Sequence, residues 1–139
     1  MTGRIVQISG SVIDVKFEQG QLPAIKEALK VKIDDETRVM EVAQHIGHDM
    51  VRCIMLASSD GMSKGMEVER TMGSIRVPVG TSVLGRMFNV LGDPIDGGEP
   101  VPAEEPHWEI HRKAPSFSQQ SPSVEILETG IKVIDLLEP

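Results

Sequence analysis

The chain has 139 residues, 40% hydrophobic and 25% charged, with a net charge of −7, which allows one domain of ordinary size or a small domain plus part of another. The acidic balance speaks against a nucleic-acid binder, which needs clustered Lys and Arg to neutralise phosphates. No apolar run approaches the ~20 residues of a membrane-spanning helix, the N-terminus has neither a secretory-signal nor a transit-peptide pattern, and the single cysteine, Cys53, cannot form an internal disulfide. Aromatics make up only 3%, with no Tyr, so Val, Ile, Leu and eight Met must fill the core.

In residues 3–17, Ile5, Gln7 and Ser9 alternate with Val6 and Ile8. After Gly10 the alternation restarts as Ile13, Val15 and Phe17 against Asp14 and Lys16. This is strand periodicity with a glycine break, which predicts a bulge or bend between two short strands. Gly20 and Pro23 mark a loop. Residues 28–33 read as a strand with Leu29, Val31 and Ile33 on one face, and Asp34-Asp35-Glu36 as a charged turn. Residues 37–56 give the clearest hairpin, runs 39–46 and 50–56 flanking a turn at 45–49 in which Gly47 supplies backbone freedom. Asp60-Gly61 and Gly65 signal turns. Residues 66–72 then alternate through Met66, Val68 and Arg70, and Gly73 separates them from a further run at 74–79. Six or so short strands at near-regular spacing predict a small antiparallel barrel, since closure removes exposed edges.

The character changes at Pro78. Residues 79–88 allow one or two helical turns with Thr81 or Ser82 as cap. Residues 89–98 are a short apolar run and a turn-dense loop. Residues 99–123 are proline-rich, without periodicity, and hold Trp108; they read as an extended segment laid over a surface. At 125–139, Thr129-Gly130 looks like a helix start, Ile131, Ile134, Leu136 and Leu137 form an apolar stripe, and Pro139 closes the helix. Residues 77–139 contain too few regular elements to build a core of their own.

Residues that could carry chemistry read as structural. Cys53 lies in an apolar run and reads as a small buried hydrophobe rather than a reactive thiol. His45 and His48 flank a turn, and His107 and His111 have helical spacing in a stretch that is not helical; further Cys or His for a tetrahedral metal site are missing. Gly61-Met-Ser-Lys-Gly65 resembles a phosphate loop only superficially, because a strand pattern follows it where phosphate cradling needs a helix N-terminus. Gly92 to Gly98 shares Asp and Gly content with a calcium loop but not its spacing. Glu99, Glu104, Glu105, Glu109, Glu125, Glu128, Asp135 and Glu138 form no pair in an apolar setting suited to acid–base work. No catalytic, cofactor-binding or metal residue is expected.

The segment Val79-Gly-Thr-Ser-Val-Leu-Gly-Arg-Met-Phe-Asn-Val-Leu-Gly-Asp-Pro-Ile-Asp96 resembles the linker of rotary ATPase head subunits. Ile110-His-Arg-Lys-Ala-Pro-Ser-Phe117 and Glu125-Ile-Leu-Glu-Thr-Gly-Ile-Lys-Val-Ile-Asp-Leu-Leu137 resemble the catalytic beta subunit of F-type ATP synthases, and Gly3-Arg-Ile-Val-Gln-Ile8, Val12-Ile-Asp-Val15, Glu41-Val-Ala-Gln-His45, Val51-Arg-Cys53 and Gly65-Met-Glu-Val68 agree with it. The non-catalytic alpha subunit shares Leu84-Gly-Arg86 and Thr129-Gly-Ile-Lys132 but resembles the other segments less well. The resemblance covers essentially the whole chain. It implies a mainly β fold: a six-stranded antiparallel barrel (crown) domain at residues 1–76, then at 77–139 an incomplete, largely extended lead-in to a P-loop α/β nucleotide-binding domain. It implies a fragment ending before the phosphate loop, expected beyond Pro139, hence inactive alone, in a parent that couples ATP synthesis or hydrolysis to proton transport. ATP or ADP and Mg2+ would belong to that parent. Partners would be alpha subunits in an alternating hetero-hexameric ring and the central stalk, with no nucleic acid, and the membrane reached only through the assembled complex. The location would be peripheral, on the cytoplasmic side of a bacterial inner membrane. Two alternatives stand beside this: a stand-alone, non-catalytic barrel module, and a fragment of an alpha-type or secretion ATPase.

Overall fold

The computed structural model describes residues 1–34, 36–121, 123 and 125–137. Asp35 of the charged turn, Glu138, and the helix-closing Pro139 lie outside the described residues. Six strands, β1 (Thr2–Ser9), β2 (Val12–Lys16), β3 (Ala28–Ile33), β4 (Glu36–Ile46), β5 (Met50–Met55) and β6 (Glu67–Arg70), close into a barrel in the order β1-β2-β5-β4-β3-β6. Every neighbouring pair is antiparallel, and β6 seals the barrel by pairing with both β1 and β3. No barrel strand is left with an unpaired edge. The expected mainly β, six-stranded antiparallel barrel is the fold this chain adopts.

The two-residue period of the strands aims one face of each inward. Ile13 and Val15 of β2, Leu29, Val31 and Ile33 of β3, Met40 and Val42 of β4, and Val51, Cys53 and Met55 of β5 join Ile5, Phe17 and Val68 in one buried cluster. Two interruptions bend this regular pattern. The β1–β2 register passes from Ile5↔Val15 to Gln7↔Asp14, leaving Val6 extra. The β4–β5 register passes from Val42↔Cys53 to Gln44↔Arg52, leaving Ala43 extra. Both bulges sit at the level of the Asp14↔Arg52 pair that joins β2 to β5. Bulges sharpen local twist, and a six-stranded sheet needs that curvature to close. The glycine break at Gly10 is therefore not the bulge: Gly10 (φ 61°) and Ser11 form a tight hairpin turn, and the bulge lies upstream at Val6.

The run at 74–79 supplies no barrel strand. Its core, β7 (Arg76–Pro78), pairs with β8 (His107–Glu109), which comes from the proline-rich stretch expected to be merely extended. Residues 79–88 depart further from expectation. Only a 3-10 turn forms, at Thr81–Val83, with Gly80 (φ 137°) at its cap position and no side-chain capping bond. Gly85 (φ 70°) follows Leu84, which is already extended, so positive-φ glycines on both sides stop a helix from propagating. The helix start at Thr129-Gly130 forms as expected and leads into α1 (Lys132–Leu137). The Asp135 carboxylate accepts from the Thr129 hydroxyl at 2.6 Å and from the Thr129 and Gly130 amides at 3.0 Å each.

A second, smaller apolar cluster lies outside the barrel, where Ile75, with Leu91 and Leu56, covers Ala28 of β3 and Val39 of β4. Ile75 is the last buried residue in the chain among those described.

Candidate interaction surface

The histidines are engaged separately. His45 donates from Nε2 to the Pro23 carbonyl at 2.8 Å, and His107 from Nδ1 to the Glu105 carbonyl at 2.8 Å. His111 donates from Nε2 to the Glu41 carboxylate at 2.7 Å, and His48 sits in the β4–β5 turn. Among the described residues, no group of three or more His, Cys, Asp or Glu could hold a metal ion. Cys53 is fully buried in the barrel; burial, with the nearby Asp14 charge adding to it, pushes its thiol up to about 12. Such a thiol stays protonated and is a poor nucleophile at neutral pH.

The two glycine-rich segments are occupied by their own backbone. Gly61 (φ 81°) and Gly65 (φ 93°) turn the chain into β6, and the Gly65 amide donates to the Ile5 carbonyl at 2.8 Å. In the Gly92 to Gly98 loop, the Arg86 guanidinium forks onto the Asp96 carboxylate and reaches the Glu99 carbonyl at 2.8 Å. That pair, helped by the Gly98 amide, holds the Asp96 carboxyl far below its ordinary value. Asn89 Oδ1 accepts from the Leu91 and Asp93 amides at 2.9 Å each. These acidic and amide side chains fix the loop itself.

Two ion pairs that local sequence reasoning does not find pin the barrel. Arg70 on β6 grips Glu27 with two bonds of 2.8 Å, and the Glu27 carboxylate also accepts from the Ala24 amide at 3.0 Å and the Met72 amide at 3.3 Å. The side chains are 4% and 13% exposed for Glu27 and Arg70 respectively. Burial alone raises the Glu27 carboxyl pKa, but the Arg70 and backbone bonds outweigh it and the net shift is downward. Arg52 likewise forks onto Asp14 at 2.8 and 2.9 Å, and its hydrogen bonds lower the Asp14 carboxyl. The partners lie 43 and 38 residues apart, beyond any local pattern.

What the chain offers to other molecules is apolar side chain beyond the barrel. Large hydrophobics exposed to solvent number four among the described residues 1–76 and fourteen from Leu84 on, including Phe117 at 91% and Leu127 at 84%. The stripe residues Ile131, Ile134, Leu136 and Leu137 are all among the latter. Exposed apolar side chains in this number make residues 84–137 the candidate interaction surface. The charge is divided in the same place: ten Lys and Arg against eleven Asp and Glu over residues 1–76, and four against ten over 77–139.

Comparison with known families matches residues 5–72 to the model described as ATP synthase alpha/beta family, beta-barrel domain. The matched span runs from Ile5 of β1 to Met72, just past β6, and so takes in all six barrel strands. The barrel at residues 5–72 is accordingly similar to the beta-barrel domain of the ATP synthase alpha/beta family.

Proposed function

We propose that this chain is the N-terminal part of a catalytic beta-type subunit of a proton-translocating ATP synthase, and that its own task is assembly. The observation that carries this reading is the closed barrel whose span coincides with the family's barrel domain. The beta-type choice, over alpha-type, is supported by the resemblance of residues 110–117 and 125–137 to that subunit. In this reading the barrel is a rigid collar element packed between alpha-type subunits of a hetero-hexameric ring, and the exposed side chains from Leu84 to Leu137 face neighbouring protein. ATP, ADP and Mg2+ belong to the parent's phosphate-loop domain, contact with the central stalk to the assembled head, and the location is peripheral to the cytoplasmic face of a bacterial inner membrane.

A second reading, a stand-alone non-catalytic barrel module, is favoured by the completeness of the barrel core: among the described residues from 77 on, none is buried. Co-expression with an alpha-type subunit separates the two. The first reading expects the chain to co-elute with that subunit in a fixed ratio on size exclusion. A chain that elutes alone beside an abundant, folded alpha-type subunit sinks it.

A further inference from the structure

We propose that residues 71–111 are a clasp that splints the chain beyond the barrel against the outer wall of β3 and β4, with the His111–Glu41 hydrogen bond as its releasable end. The fixed end is multiply anchored. The Thr71 amide and hydroxyl both donate to the Ala28 carbonyl, at 3.2 and 2.7 Å, and the Ala28 amide donates to the Gly73 carbonyl at 2.8 Å. Ile75, 5% exposed, then seats on Ala28 and Val39. From there β7 carries β8 back toward the wall. The Val79 amide donates to the Pro106 carbonyl at 2.9 Å, the Ile110 amide to the Ile75 carbonyl at 3.0 Å, and Arg76 to the His107 carbonyl at 2.9 Å. The intervening loop is packed onto this ribbon: a Cβ at Gly92 (φ 84°) would stand 2.5 Å from Pro78 Cδ.

The far strand meets the barrel at one polar point. Glu41 lies on β4 between Met40 and Val42, whose side chains fill the interior, so its carboxylate stands on the outer wall. His111 Nε2 reaches it at 2.7 Å, the two side chains being 31% and 22% exposed for His111 and Glu41. Among the described residues, this is the one hydrogen bond from beyond Gly98 to a barrel strand. Lys26, Glu27 and Glu109 are the other charged groups lining the cleft beside His111, and Glu27 is already held by Arg70. The anchored end holds residues 71–75 against the wall, and the bond to Glu41 holds the far strand there as well. A single, partly exposed bond to a carboxylate is also weak enough to open while the barrel stays folded.

Amide hydrogen exchange on the full chain tests this with His111→Ala and with Glu41→Thr, whose side chain suits a strand but falls short of the imidazole. The expected result is about tenfold faster exchange at the Ile110 and Val79 amides in each variant. The Phe17 and Met55 amides, bonded to the Asp49 and Ser11 carbonyls within the barrel, keep their rates, and the double variant goes no further than either single one. Unchanged exchange at Ile110 and Val79 overturns the clasp. Equal acceleration at Phe17 and Met55 overturns it too, since the pair would then only stabilise the barrel.

Discussion

A methyl group at position 3 would stand 2.7 Å from two ring carbons of Phe17 and 2.9 Å from the Lys16 carbonyl. The barrel gains a buried aromatic on β2's exit only because β1 carries no side chain opposite it. Gly3→Ala should therefore cost about 1–3 kcal/mol, the range for overpacking a tight interior, read as a lower urea midpoint at unchanged slope. Glu27 gives the residue scale a pH dependence. Its carboxyl stands below the ordinary value of 4.5, so its stabilisation is fully present above pH 4.5 and is lost as pH falls through the lower, folded-state value. Asp14, lowered by Arg52 from 3.8, acts in the same direction. Glu27→Gln keeps the shape but weakens the grip on a guanidinium only 13% exposed, for an expected loss of about 2 kcal/mol at pH 7. Urea melts at stepped pH should show the gap between wild type and variant closing below about pH 4. A gap that stays constant into acid would mean that Glu27 is not ionised in the folded protein.

At the scale of elements, the chain divides by how its backbone is held. Strands β1 to β6 are paired on both sides, whereas the described residues of 112–128 hold two 3-10 bonds and no strand, and α1 is a single short helix with no buried residue. Trypsin should therefore cut first after Lys113 and Lys132, leaving a resistant core that contains residues 1–76 with its ten Lys and Arg. Early cleavage inside the barrel, followed by mass spectrometry, would contradict this. The same division explains what could be read in advance. Alternation in 28–33, the glycine-centred turn at 47, and the apolar runs on either side of it are local signals, and β3, β4 and β5 form where those signals lie. The extra residues Val6 and Ala43 leave no local mark, because a bulge is defined by the partner strand. The same holds for β7 and β8, three-residue strands whose pairs run from Pro78↔His107 to Arg76↔Glu109, the latter 33 positions apart. Residues 79–88 allow one or two helical turns with Thr81 or Ser82 as cap, but Gly80 and Gly85 adopt positive φ and end the helix after one tight turn. The candidate surface was legible as the stripe at 131–137; its extension to Leu84, Phe117 and Leu127 depends on which side chains the barrel leaves uncovered.

For the molecule as a whole, the distribution of donors and charge bears on nucleotide. Phosphate recognition needs several backbone amides converging at the opening of a helix, with favourable charge nearby. The one α-helix among the described residues is six residues long, and the amides that open it, Thr129 and Gly130, already donate to the Asp135 carboxylate. That internal anion occupies the place a phosphate would take, and its pKa is lowered by those same Thr129 and Gly130 bonds. The Gly61–Gly65 turn leads into a strand and spends its last amide on Ile5. Over residues 77–139, four Lys and Arg face ten Asp and Glu, so the surroundings repel a polyphosphate rather than gather it. Titration of the chain with Mg-ATP by calorimetry should accordingly give no binding isotherm at micromolar nucleotide. An isotherm with a dissociation constant in that range would require a phosphate site assembled by the exposed half of the chain, and would overturn the proposal that nucleotide belongs to a parent's phosphate-loop domain.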